Sequence, residues 1–120
     1  MDKLYITGDL VYIHGSPRII NNCDGYYVTY YDENESLQEV NVNVIESIPI
    51  TPEILEKNGW KEEKGDYIND NYHIRLCEKI DGYSAYKVVN DTIVWLRDVE
   101  SVSDLQHLLF GLALNSEMEV

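Results

Sequence analysis

From Gln38 to Ile48 the chain reads QEVNVNVIESI, with Val40, Val42 and Val44 alternating against Asn41 and Asn43. A period of two predicts one half-buried strand across this segment, valines inward and asparagines outward. The same reading applies upstream. Leu10–His14 predicts a strand, Gly15-Ser16-Pro17 a turn, and Arg18–Asn21 a second strand. Asp24-Gly25 is a hairpin signal, and YYVTYYD follows it. In that segment Tyr26, Val28 and Tyr30 share one face, and Tyr27, Thr29 and Tyr31 the other. Asp32–Ser36 reads as a polar turn. Short antiparallel strands packed this closely predict a small curled sheet, an SH3-like, β-barrel-like unit over residues 1–48.

The period changes in PITPEILEKNGW. Thr51 can N-cap a helix, Pro52 suits its first position, and Glu53 favours its positive end. Ile54 and Leu55 point to the core, and Gly59 can end the helix in the left-handed conformation. Such a helix has about two turns and is stable only when docked. Pro49 marks the seam with a second unit over residues 49–120, unless both halves form one compact domain.

Beyond Trp60 strands return. Glu62–Gly65 reads as a turn, Asp66–Asn69 as a strand and Asn69-Asp70-Asn71 as another turn. In YHIRLCEKI, Tyr72, Ile74 and Leu76 alternate with His73, Arg75 and Cys77. Asp81-Gly82 is a second hairpin turn, and YSAYKVV, Asn90-Asp91 and TIVWLRDV complete a meander. Leu105, Leu108, Leu109 and Leu112 then recur at i, i+3, i+4 and i+7, one apolar helical stripe. Ser101-x-x-Asp104 or Ser103-x-x-Gln106 can cap that helix. Burying four leucines is worth roughly 6–12 kcal/mol before entropy is charged, so the helix is expected to cover the meander. The fold class is α+β, and the expected core of the second unit is Ile54, Leu55, Trp60, Ile74, Leu76, Trp95, Leu105, Leu108, Leu109 and Leu112.

Composition sharpens this picture in two ways. Ten tyrosines against one phenylalanine favour wet, half-buried sheet faces. Twenty-two acidic against nine basic residues give a formal net charge of −13 in 120 residues. Such a chain repels phosphate, so direct binding to nucleic acid or an anionic membrane is not expected. The acidity serves solubility, or docks the chain on a basic protein partner. Cys23 and Cys77 form no C-x-x-C, and MDKLYITGDLVYI contains no apolar leader segment. Reduced thiols and a cytoplasmic protein are the expectation.

Candidate chemistry is thin. Asp104-x-x-His107 half-matches a zinc helix, but that motif needs two histidines on adjacent turns, and position 103 is Ser. His14, His73 and His107 fall on separate predicted elements. Cys77, beside Arg75 and His73, is the better candidate for a lowered thiol pKa, although a small buried hydrophobe is the plainer reading. The seven glycines stand singly, so no phosphate-cradling loop is formed. YYVTYY could stack bases, but Asp24, Asp32, Glu33 and Glu35 deny it a basic groove. No catalytic, cofactor-binding or metal-binding residue is expected, and no cofactor.

Two segments carry a resemblance. Ile48, Pro49, Thr51, Glu53, Ile54, Leu55, Gly59 and Trp60, and later Leu105, Gln106, His107, Phe110 and Leu112, resemble a family of small uncharacterised proteins common in gut Bacteroidetes, their phages and mobile elements. The likeness covers Ile48 to the C-terminus, with Ile50 in place of the usual Leu and Ser103 where the family often has His. It implies no activity, because the matching positions are caps and packing residues. It does imply a bacterial or phage accessory protein. Together these readings predict a non-enzymatic protein-interaction module, with an acidic decoy that fills the basic groove of a nucleic-acid-handling or defence protein as the alternative.

Overall fold

The computed structural model describes residues 5–120. Met1–Leu4, part of the opening stretch read above for a leader, lie outside the described residues. The fold is α+β, and the chain divides into two compact units, Met1–Ile48 and Pro49–Val120.

In the first unit, β1 (Leu10–Ile13), β2 (Ser16–Cys23), β3 (Tyr27–Tyr31), β4 (Leu37–Asn41) and β5 (Ile45–Glu46) form one antiparallel sheet, in the order β4-β3-β2-β1-β5. Among the described residues β4 and β5 are its two edges and do not pair, so the sheet is open. Val11, Ile13, Ile20, Val28 and Tyr30 make its core, with Tyr5, Cys23, Val40, Val42 and Ile45 packed against them.

Three sequence expectations shift here, each for a local reason. Ile13 pairs with Ser16, leaving a two-residue loop of His14 and Gly15, both at positive φ. Such tight hairpins require that conformation, so the turn precedes Ser16-Pro17, which joins β2. Tyr26 sits in the next turn and not in β3. The Asp24 carboxylate accepts the backbone N–H groups of Tyr26 and Tyr27, at 2.9 and 2.8 Å. Lastly, the valine–asparagine alternation does not continue as one strand. It ends at Asn41, whose side chain accepts the Asn43 N–H at 2.9 Å and caps a 3-10 turn over Val42–Val44. Asparagine offers the backbone this local alternative to ladder pairing.

The second unit opens with α1 (Pro52–Lys57). Its Thr51 cap accepts the Ile54 N–H, Pro52 is the first helical residue, and Glu53 lies in the first turn. Gly59, at φ +88°, turns the chain out of the helix, and Trp60 donates its N–H back to the Leu55 carbonyl. Five strands follow: β6 (Lys61–Glu63), β7 (Asp66–Asn69), β8 (Ile74–Lys79), β9 (Gly82–Val89) and β10 (Thr92–Val99). They form a simple antiparallel meander, β10-β9-β8-β7-β6. The β6–β7 turn is Lys64-Gly65 and the β9–β10 turn Asn90-Asp91, all at positive φ. Between β8 and β9 the loop is Ile80-Asp81, because Gly82 already pairs with Lys79. A Cβ at Gly82 would lie 2.4 Å from the Val99 carbonyl oxygen, so only glycine lets β9 approach the end of β10.

One face of the meander buries Tyr67, Ile74, Leu76, Tyr83, Ala85 and Val99. The Tyr67 and Tyr83 rings meet edge to face, and burial raises the pKa of both hydroxyls above the usual phenol value. Helix α2 (Val102–Gly111) packs against β10. Of the two capping possibilities, Ser101 and Asp104 form the reciprocal box. The buried residues of α2 are Val102, Ser103, Leu105, Gln106, Leu108 and Leu109. The stripe therefore runs one turn further toward the N-terminus than the leucines alone predict.

Two expected core residues are corrected. Leu112 is the C-cap, 36% exposed, because the helix ends at Gly111 and Ala113 turns left-handed. Trp95 is 57% exposed. It pairs with Tyr86, on the sheet face opposite the buried Leu76–Ala85 row. Ile54 is half-buried, whereas Leu55, Trp60, Ile74, Leu76, Leu105, Leu108 and Leu109 are buried.

Candidate functional site

The three histidines singled out in the sequence fall on separate elements. His14 lies in the β1–β2 turn, while His73 occupies the turn before β8 at φ +56° and His107 lies on α2. His73 therefore does not alternate with Arg75 and Cys77 on a strand. Tyr72 likewise lies outside β8 and meets the Trp60 ring edge to face, with 6.5 Å between centroids. Among the described residues, no group of three or more His, Cys, Asp or Glu side chains could hold a metal ion.

On the open face of the meander, Arg75 and Cys77 both reach Asp66. Arg75 Nε donates to Asp66 Oδ2 at 3.0 Å, and Cys77 Sγ lies 3.7 Å from the same oxygen. Asp66 keeps the guanidinium charged. For Cys77 the effect is the reverse of the sequence expectation. Burial, followed by the Asp66 charge, raises its thiol pKa, and nearby Arg75 does not offset them. The thiol is thus held protonated. One step along the sheet, Ser84 Oγ donates to Asp98 Oδ1 at 2.8 Å and Lys79 Nζ to Asp98 Oδ2 at 3.1 Å. Those bonds depress the Asp98 pKa, with Ser84 the largest cause and Trp95 adding to it. Ser84 and Lys79 thus each donate to one oxygen of the Asp98 carboxylate.

The first unit presents a different surface. Thr7 and Gly8 fold against β2: Gly8 N–H donates to the Ile20 carbonyl at 2.8 Å, and Thr7 Oγ1 to the Asn21 carbonyl at 3.0 Å. With Pro17, Arg18, Ile19 and Ile20 on β2 and Tyr31 on β3, they line an open, mainly apolar groove of about 540 Å³. Arg18 forms a close ion pair with Glu33 and lies 5.8 Å from the Tyr30 ring centroid. This pairing raises the Arg18 pKa and lowers that of Glu33.

Around the groove the ladder arranges an apolar row. Leu10 pairs with Ile19, and Tyr31 with Leu37. The Ile20–Tyr30 pair brings Ile19 level with Tyr31 at the next step. Ile19 is 62% exposed, Tyr31 and Leu37 each 55%. Acidic groups surround this row, with Asp32, Glu33 and Glu35 in the β3–β4 turn and Glu39 on β4. Asp32 is held ionised by the Ser36 and Asn34 N–H groups and by Gln38. Sequence reasoning missed the groove because Ile19 lies in a stretch without alternation. The available signal was YYVTYY, whose outward half does hold Tyr31.

No helix among the described residues is long and apolar enough to cross a membrane. No protein family, curated protein or solved structure matches the chain.

Proposed function

We propose that this protein is a non-enzymatic, cytoplasmic interaction module whose first unit docks a basic, extended segment of another protein. The observation that carries the reading is the exposed Ile19–Tyr31–Leu37 row beside an open groove, rimmed by ionised carboxylates. Isolated exposed apolar side chains are ordinary, but a contiguous apolar patch with a polar rim marks an interaction surface. Aromatic anchors supply most of the energy in such patches, and rim charges choose the partner.

The strand order β4-β3-β2-β1-β5, with a 3-10 turn before β5, favours an SH3-like description of this unit. The raised Cys77 pKa and the fully paired Ser84–Asp98–Lys79 cluster favour a non-enzymatic role. Membership of the Bacteroidetes and phage accessory family rests on the α1 and α2 segments quoted above.

The net charge of −13 supports a second reading, an acidic decoy that occupies the basic groove of a nucleic-acid-handling or defence protein. The two readings separate on competition: nucleic acid displaces a decoy from its partner but leaves a segment-binding module bound.

A displayed library of extended peptides tests the docking reading. The expected binders are rich in Lys and Arg around one apolar residue. Their binding should weaken with salt and fall about tenfold or more in Ile19→Asp, as loss of a central anchor does. Binders without basic residues, or binding indifferent to Ile19→Asp, would overturn it.

A further inference from the structure

In antiparallel sheets the outer edge of a terminal strand offers a row of backbone donors and acceptors to any other strand, and most edges are blunted by charge or brevity. Among the described residues the two sheets have four edge strands, and three follow that rule. Strand β6 is Lys61-Glu62-Glu63, β4 carries Gln38 and Glu39, and β5 has only two residues. Strand β10 does not. Among the described residues it pairs with β9 alone. Its segment Thr92-Ile93-Val94-Trp95-Leu96 contains no charge and no proline, and Ile93, Val94 and Trp95 are all about half exposed.

We infer that β10 is a self-association edge: two copies of this chain pair β10 against β10, antiparallel, in a register centred on Val94. The sequence is complementary to itself in that register. Val94 meets its own symmetry mate, and Ile93 of one copy faces Trp95 of the other. Ile93 and Trp95 lie on the same sheet face, opposite Val88 and Tyr86 of β9, so the two cross-strand contacts are apolar on apolar. The indole has few rotamers to lose on pairing.

Charge also favours a second copy over a basic partner at this edge. Around β10, Lys79 pairs with Asp98 at 3.1 Å and Thr92–Leu96 carries no charge, so this half of the edge offers no carboxylate excess to a basic partner. Arg97 faces Asp104 of its own copy at 3.5 Å. The bulge between Trp95 and Arg97 limits regular pairing to the first half of the strand. Such an interface is small and belongs to the weak, transient class.

The two docking surfaces respond to salt in opposite directions. Two chains of charge −13 repel each other, so screening strengthens the dimer, whereas salt weakens docking of a basic segment in the first unit. Sedimentation equilibrium on the full chain, from micromolar to millimolar and from low to high salt, should show a monomer–dimer equilibrium that shifts toward dimer with both. Ile93→Lys should weaken it by about tenfold or more, as two buried apolar contacts are lost. In a chain with Cys23 and Cys77 replaced by serine, Val94→Cys should cross-link to itself with diamide, since directly opposed residues lie about 4.5–5.5 Å apart. Thr92→Cys should lag behind it. A monomer at all concentrations overturns the inference, and so does a dimer in which Val94→Cys cross-links no faster than Thr92→Cys. Should Ile93→Lys fail to fold, the cross-linking comparison decides alone. Neither result bears on peptide binding by the Ile19–Tyr31 groove.

Discussion

Single residues here are held by local pairing, and that fixes what their chemistry can be. Cys77 packs into the sheet beside Asp66, and burial with that charge raises its thiol pKa. In a Cys23→Ser background, alkylation of Cys77 by iodoacetamide at pH 8 should be slower than that of free cysteine, and Asp66→Asn should accelerate it. A rate equal to free cysteine would contradict the arrangement. Asp98 carries the opposite perturbation, because Ser84 and Lys79 stabilise its charged form. Its contribution to stability is present above the unfolded carboxylate pKa and is lost as pH falls through the depressed folded value. Asp98→Asn should therefore be less stable than the parent at neutral pH, with the gap closing in acid. Urea titrations at a series of pH values check this, and a gap that persists or widens in acid would refute it.

Elements show where the sequence was legible. The segment PITPEILEKNGW carries its own cap, first-turn proline and terminating glycine, and α1 forms on those positions. Most strands of the meander were also visible, since Asn90-Asp91 and the Asp66–Asn69 run are local signals. Strand β6 was not: Glu62 and Glu63, read as part of a turn, pair with Tyr67 and Asp66, and only Lys64-Gly65 turns. What the pattern could not give was which face of a strand meets cover. Trp95 looks like core in TIVWLRDV, yet its face of the sheet is the open one. Periodicity also failed where a side chain outcompeted the ladder, as Asn41 does at the 3-10 turn. In α2 the stripe shifted because Gly111 ends the helix before Leu112 can dock. Leu105→Ala, which removes a fully buried side chain, should cost about 2–5 kcal/mol. Leu112→Ala should cost well under half as much, because the side chain keeps water contact. Thermal or urea unfolding of the pair measures both, and equal losses would mean that the stripe extends as the leucines alone suggest. The candidate site was the least legible part, because the groove arises from the Ile20–Tyr30 pairing that sets Ile19 beside Tyr31, and neither residue announces it.

At the scale of the molecule, each unit carries a surface of its own. The first presents an apolar row with an acidic rim, and the second a sheet edge that is uncharged over Thr92–Leu96. The large negative charge sets the sign of both responses: attraction for a basic segment, repulsion between copies. The most direct test of the docking claim is a backbone amide NMR titration of the full chain with a peptide of alternating lysine and leucine. The account predicts shifts concentrated at Thr7, Gly8, Ile19–Asn21 and Tyr31, diminishing as salt is raised. Shifts confined to the second unit, or no shifts at millimolar peptide, would contradict it.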